Sequence, residues 1–600
     1  MSLLKRLFST AQSTPRATHE VGQATLDAIR GHLAAEDAQA AFALLEPVLE
    51  EHPQDGRLLL LKARALRQTG RIDAALDACD AALAGDIDPA SVHLEIAHCR
   101  VAEPDLPGAV EALHVALELD KHLGAVWVLL GQVMQRIDDH VKAQQALVHA
   151  TTCLDDPLEQ AQAWLLLGRS RMATLDIGGA RSALEQSFAL GEQGADIYMA
   201  LGIADLWMDD EPAAVLNFEA AMAKIAVPSR QLKLNLAYAL QHSGDIEEAR
   251  SMYAKVLSED PADHTTRWFL CQLDLLLCRW EDGWRNYSSR FTSGATAYRP
   301  IGYKPWDGRT RSADTLLVLA DEGLGDEIMY AACVPQAAAR MGQVIVECEP
   351  RLAGLFARSF PGVHVVPTTR SNQPGWLDGL PTPDWQLPAG ALPGLFRLKD
   401  EDFPHHEGYL KADPVRVERW RERLARDLGP GLKVGISWRG GTLKTRQRAR
   451  SLDAQTWRPI LAVEQVHWVN LQYGDYGTEL RALETEHSRR IHDYPAALQD
   501  YEETAALVSA LDLVVSVCTA VVHLAGSLGK PVWVLAPLVP GWRYTASRDV
   551  MPWYPTSQIF RQQRWGEWDL PCRNLALRLA ELTKTVACSP SKDVNLRQDG

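Results

Sequence analysis

A stack of paired helices followed by two doubly wound α/β lobes is the fold class that three features of this 600-residue chain predict. Alanines recur at Ala41, Ala75, Ala109, Ala143, Ala180, Ala214 and Ala249 in steps of 34, 34, 34, 37, 34 and 35 residues, a period that fits two short helices and two turns. From Thr315 onward, compact apolar runs alternate with helical patterns, as in parallel sheets crossed by helices. The first such run leads into Glu322-Gly323-Leu324-Gly325-Asp326, an acid in a glycine loop at the strand end where doubly wound sheets hold their ligands.

The period is that of tetratricopeptide units, so residues 21–291 are expected to form an all-α tetratricopeptide superhelix. Small residues such as Ala63 and Ala75 stand where two antiparallel helices must approach closely, and Gly70 lies in the turn between them. Gly131, Gly168 and Gly202 each precede the small residue of the second helix by 12 positions. The 37-residue step coincides with Cys153-Leu154-Asp155-Asp156-Pro157 and reads as a longer loop between units. A degenerate eighth unit, from about His264 to Phe291 with Gly283 in the alanine position, is expected to cap the stack. Because each unit buries its apolar side only against its neighbours, such an array leaves a groove for an extended partner. A spacer or dimerisation surface is the alternative.

The remaining boundaries follow from composition. Residues 1–20 read as a flexible lead, 292–314 as a connector, 315–410 as the first Rossmann-like lobe, 411–585 as the second and 586–600 as a flexible tail. Strands are expected at Thr315–Ala320, Val344–Cys348, Val363–Val366, Lys433–Trp438, His467–Gln472, Leu513–Val517 and Val532–Leu535. The apolar stretch from Leu513 to Gly529 is broken by Ser516, Thr519 and His523, and reads as a buried strand entering a helix, not a membrane span.

A formal charge of −16 argues against general nucleic-acid affinity. The ten cysteines form no C-x-x-C pair and no zinc-spaced cluster, which suits a reducing compartment, and a cytoplasmic location is expected. Against the acidic background, Arg439, Lys444, Arg446, Arg448 and Arg450 cluster after a strand with no acid among them. They suggest an anionic ligand, with a solvated loop as the alternative reading. Ser516-Val517-Cys518-Thr519-Ala520 turns a strand into a helix whose first N–H groups suit a phosphate. His523 lies one turn on, as a donor to that ligand or a packing histidine. A helix N-terminus contributes at most about 2 kcal/mol, whereas micromolar binding needs about 8 kcal/mol, so charged side chains must share the work.

Three runs together resemble a known family: Glu322 to Ala332, Val434 to Gly440, and Ser516 to Leu535. They are similar to bacterial tetratricopeptide proteins with a GT-B glycosyltransferase domain, related to heptosyltransferases and more distantly to O-linked N-acetylglucosamine transferases. The match includes Pro305-Trp306-Asp307-Gly308, Met551 to Pro555 and Phe560-Arg561-Gln562. The resemblance implies metal-independent transfer of a sugar from a nucleotide-activated donor, with no cofactor. It implies that Asp326 is the general base, that Thr519, Ala520 and His523 hold donor phosphate, that Arg439 and Lys444 stabilise the leaving nucleotide, and that Gln472 meets the base or ribose. The first lobe would take the acceptor and the second the donor.

Cys518 departs from the aspartate usual before that threonine in heptosyltransferase-like members. A thiol accepts hydrogen bonds poorly, which tells against ordinary heptose recognition. The cysteine variant resembles repeat-bearing enzymes that modify flagellin with nonulosonic acids such as pseudaminic acid, and so implies a CMP-linked donor at a site that includes Cys518. The leading expectation is a protein O-glycosyltransferase whose repeats bind flagellin. The alternatives are a transferase acting on a lipopolysaccharide or capsule precursor, and a scaffold with an inactive transferase domain.

Overall fold

A computed structural model describes residues 21–299, 301–441 and 447–588. The chain divides into two compact units, one running to Met208 with Ala223–Ile225, the other comprising Asp209–Met222 and everything from Ala226 onward. The expected lead over 1–20 lies outside the described residues. The last helix, Asp569–Cys588, runs past the expected start of the tail; the rest of that tail also lies outside them.

Two helices per period recur eight times among the described residues, from Gln23–Ala34 with Ala38–Glu51 to His264–Leu276 with Trp280–Asn286. All seven alanines of the periodic series are fully buried. Where glycine replaces alanine the reason is steric: a Cβ on Gly283 would stand 2.5 Å from Leu275 Cδ2. Glu36, Gly70, Asp138, Leu175, Asp209, Gly244 and Cys278, in seven of the eight turns within the hairpins, have φ between 57° and 113°. Only the two glycines adopt that left-handed turn without strain. Asp37, Asp105, Asp139 and Asp176 cap second helices by accepting a first-turn amide, so part of the acidic balance has a structural use.

In the first unit, apolar clusters span neighbouring hairpins. Leu59, Ala75 and Cys79 pack with Val92 and Cys99 of the next repeat, which is the nearest-neighbour burial of a repeat stack. The 37-residue step needs correcting. Only Leu154–Asp156 separate the flanking helices, and the added residues lengthen the helix Pro157–Ala173 to 17 residues. Asp156 caps that helix and Pro157 opens it, so helix begins where a loop was expected.

The second unit holds two sheets, parallel throughout. The first contains β1 (Lys304–Pro305), β2 (Arg311–Leu319), β3 (Met341–Cys348), β4 (His364–Pro367) and β5 (Trp385–Pro388) in the order β1-β5-β2-β3-β4. The expected connector over 292–314 is therefore partly sheet: Lys304 and Pro305 pair with Trp385 and Gln386, and Trp306 is buried behind them. The second contains β6 (Leu432–Ser437), β7 (Val466–Asn470), β8 (Ile491–His492), β9 (Leu513–Val517), β10 (Val532–Ala536) and β11 (Ser557–Arg561) in the order β11-β10-β9-β6-β7-β8. This is the doubly wound order, with its switch between β6 and β9. The sheet buries Val434, Ile436, Val515 and Val517 against Trp457, Trp468, Leu575 and Leu579.

The chain passes from one lobe to the other near Gly408, where Tyr409 and Leu410 donate their amides to Ser527 O at 2.8 and 2.9 Å. A Cβ on Gly408 would lie 2.7 Å from Gly529 N, and the crossing depends on that closeness. Among the described residues, no helix is long and apolar enough to cross a membrane.

Candidate functional site

Sequence motifs and topology converge at the β6/β9 switch. The strands end at Ser437 and Val517, and the loops beyond them touch at Gly440, where a Cβ would lie 2.8 Å from Cys518 O and 2.9 Å from Thr519 Cγ2. The helix Ala520–Ser527 starts there with Thr519 extended at its N-cap and no side chain capping its amides. The Thr519 hydroxyl turns instead to Ser516 Oγ, 3.0 Å away. The end of the helix that carries partial positive charge is thus left to a ligand or to water.

The loop after β2 in the first lobe faces this helix. Gly325 permits the approach: its Cβ would stand 3.0 Å from His523 Cδ2 and 3.3 Å from Ala520 Cα. Asp326, the next residue, accepts from its own Gly323 amide at 3.1 Å through Oδ2. Its Oδ1 accepts from Arg543 Nε. Both side chains remain about one-fifth exposed, at 19% and 22%. Burial alone would lower the Arg543 pKa, but Asp326, Tyr330, Tyr287 and Glu322 together hold it well above the usual range.

Behind Asp326 lies Glu322, with φ of 59°, a left-handed residue at a strand end of the kind that clusters at functional sites. Its carboxylate accepts from Tyr330 Oη and, at 2.9 Å, from Tyr287 Oη, and it lies 3.8 Å from Arg543 Nη2. Burial and the Glu322 charge push both phenols well above their ordinary pKa, so they donate and do not ionise. Asp321 accepts from Arg290 Nη2 at 2.6 Å and from the Gly390 amide at 2.9 Å. Tyr287 ends the helix Trp280–Asn286 and Arg290 lies in the short helix Ser289–Thr292 that follows, so the end of the last helical hairpin reaches directly into the strand-end loop.

The expected site residues divide. Asp326, Thr519, Ala520 and His523 are brought together. His523 is 4% exposed, with Nδ1 3.0 Å from Tyr554 Oη. Burial first, and Arg543 second, bring its pKa down to about 3, so the imidazole is neutral. Lys444, with Arg446, lies outside the described residues.

Three expectations change. Gln472, expected at a base or ribose, is 1% exposed, and its Oε1 accepts from Ser437 Oγ, Trp438 N and Arg439 N at 3.1, 3.1 and 2.9 Å. It braces the loop after β6. Arg439, expected on the nucleotide, donates to Glu479 at 3.0 Å and to Asp475 O at 2.7 Å; the acid missing from its own segment comes from the helix Gly477–His487. Cys518 is 2% exposed, and burial pushes its thiol up to about 12. Only its backbone carbonyl borders the switch.

Sequence reading missed Arg543, Glu322, Tyr287, Tyr330 and Tyr554. Glu322 and Tyr330 stand inside a run already singled out, and Arg543 sits among the late aromatics, where a lone cation between Trp542 and Tyr544 was the available signal. Trp542, Trp553 and Tyr554 are buried, at 4%, 2% and 0% exposure.

Comparison with known proteins bears mainly on the repeats. Residues 32–94 and 231–263 match tetratricopeptide repeat families, so the chain carries such repeats. Protein FlbA of Caulobacter vibrioides (strain ATCC 19089 / CIP 103742 / CB 15) is 27% identical over 506 residues, covering 81% of this chain and 83% of its own. Among solved structures, the APC/C hetero-tetramer Cut9-Hcn1 matches 45% of this chain and 53% of its own, at 15% identity and a TM-score of 0.34. Pseudomonas aeruginosa pilF matches 35% and 93%, at 17% identity and a TM-score of 0.32.

Proposed function

We propose that this chain is a GT-B glycosyltransferase that moves a sugar from a nucleotide-activated donor to a Ser or Thr hydroxyl of a protein held by the repeats. One observation carries the reading: strand-end loops of two parallel lobes meet, with Gly325 against Ala520 and His523, and with Asp326 beside them. Ligands of doubly wound sheets bind outside such strand ends.

In this reading the acceptor oxygen attacks the anomeric carbon, Asp326 takes the hydroxyl proton, and the bond from the anomeric carbon to the phosphate oxygen breaks. The uncapped amides of the Ala520–Ser527 helix and the Thr519 hydroxyl receive the departing phosphate. Neutral His523 offers a hydrogen bond and no charge. Charge-assisted bonds must add several kcal/mol to the roughly 2 kcal/mol of a helix end, and Arg439 can contribute only by exchanging Glu479 for the ligand.

The family resemblance of the motifs favours flagellin as acceptor and a CMP-linked nonulosonic acid as donor. Mass spectrometry of flagellin coexpressed with intact chain or with Asp326→Ala tests this. Sugar on flagellin with the intact chain and none with the variant is expected; equal loading in both removes Asp326 from the mechanism.

A second reading, a scaffold that binds no donor, is favoured by Arg439, Gln472 and Cys518 all being engaged or buried within the lobe. Saturable binding of CMP, UDP, GDP or ADP sugars would exclude it.

A further inference from the structure

A cavity of about 280 Å³ lies at the ends of β2 and β5 and includes Leu319, Pro388 and Gly390 in its lining. In the order β1-β5-β2-β3-β4 this is where the first sheet switches direction, its counterpart to the β6/β9 crevice. Trp284 of the last helical hairpin, with Tyr287 and Phe291 just after it, completes the lining. The lining is mainly aromatic and aliphatic, yet three buried polar atoms of its residues have no hydrogen-bond partner among the described residues: Trp284 Nε1, Gln386 Oε1 and Arg290 Nε, the last 3.9 Å from the Glu322 carboxylate. Trp284 is 6% exposed and Gln386 7%. Buried polar atoms are rarely left unpaired, and here a neutral donor and an acceptor belong to residues that line one cavity.

Size and surroundings narrow the occupant. The volume is just below the roughly 300–1,000 Å³ of small-molecule sites, and is small for a sugar nucleotide. A second, more open cavity of about 450 Å³, lined by Arg267 and Arg285, shares Ser288, Phe291 and Tyr298 with the first. An extended chain could run through both. The indole N–H of Trp284 and the amide oxygen of Gln386 complement the C=O and N–H of a peptide group, while the Arg290 charge is already met by Asp321 and Glu322, and the rings suit an apolar side chain. Tyr287 then links the cavity to the candidate base, through Glu322 to Arg543 and Asp326.

We propose that this cavity is an acceptor subsite. It takes one aromatic or branched apolar side chain, with its peptide group, from a polypeptide lying along the last hairpin, and so selects which neighbouring hydroxyl reaches Asp326. The inference rests on the transferase reading above.

The test uses the full chain and short synthetic serine peptides carrying p-benzoylphenylalanine beside the serine, with cross-links mapped by mass spectrometry. Labelling is expected within residues 284–298 and 386–394. Gly394→Leu, which fills the cavity beside Trp284, should cut labelling about tenfold, and Trp284→Phe, which keeps one aromatic ring but loses the N–H, several-fold. Nucleotide binding should not change in either. Labelling confined to earlier repeats, or unchanged in both variants with wild-type melting curves, overturns the proposal. Should Gly394→Leu fail to fold, Trp284→Phe, which adds no atoms to the site, carries the decision. Peptide labelling at the cavity in a chain that binds no nucleotide sugar would overturn the transferase reading and, with it, the acceptor role.

Discussion

Arg543 grips Asp326 across 217 residues of sequence, its Nε donating to Oδ1 while Oδ2 caps the helix that carries it. A carboxylate held at both oxygens is fixed in direction. Removing Arg543 leaves Asp326 and Glu322 facing each other without their shared cation. Arg543→Met is therefore expected to destabilise the second unit by about 2–3 kcal/mol. Asp326→Asn, which keeps a hydrogen-bond acceptor, should cost about 1 kcal/mol. Denaturant midpoints of the two variants check this; equal losses would mean that the pair acts mainly by packing.

Gly325 offers a contrast between helix propensity and space. Alanine in an open helical site gains about 0.5–1 kcal/mol over glycine, and Gly178, with nothing within 4 Å of an added Cβ, should show that gain. At Gly325 the same methyl meets His523 Cδ2 at 3.0 Å, so Gly325→Ala should lose about 1 kcal/mol instead. Thermal unfolding of the two single variants reads the opposite signs. Sugar transfer should fall with Gly325→Ala and stay unchanged with Gly178→Ala.

Gln472 illustrates what motif reading could and could not reach. Its place at the end of a strand was legible, since a strand was expected over His467–Gln472 and one is formed by Val466–Asn470. Its use was not: three donors from the loop after β6 converge on one amide oxygen, and no spacing in the chain encodes that convergence. Gln472→Leu keeps the volume but strands Ser437 Oγ, Trp438 N and Arg439 N, a loss of about 2–4 kcal/mol. Phosphate or nucleotide affinity should fall with it, because the Gly440 loop borders Thr519. Wild-type stability in Gln472→Leu would mean that those donors find other partners.

The same limit runs through the fold. Repeats were legible because each buried alanine answers a local steric need that recurs every turn of the stack. Central strands β2, β3, β6, β9 and β10 were legible because each holds a buried apolar stretch, such as residues 316–319, 344–346 and 513–515. The strands passed over were β1, β5, β8 and β11, short or edge segments such as Lys304–Pro305 and Ser557–Arg561, whose pairing depends on a neighbour far along the chain. The candidate site divides likewise. Asp326 and Thr519 stand in glycine loops at strand ends, which are local signals, whereas Arg543 and Tyr287 enter only through tertiary packing.

His523 gives the site a titration that can be followed. Its pKa of about 3 in the folded chain compares with about 6.5 in an unfolded one. Above pH 6.5 both states are neutral at this group and stability does not depend on it. As pH falls below 6.5 the unfolded chain takes up a proton that the buried imidazole refuses, so stability drops by about 1.4 kcal/mol per pH unit until the folded group titrates near 3. His98, His406 and His492 are also lowered, chiefly by burial, so the comparison must be between variants. His523→Gln, which can still meet Tyr554 Oη, should remove one proton's worth of slope between pH 6 and 4 and leave the behaviour at pH 8 parallel to wild type. Melting temperatures across that range decide it. An unchanged slope would mean that His523 opens to solvent and titrates normally, and the close packing of Gly325 on the Ala520–Ser527 helix would then fail with it.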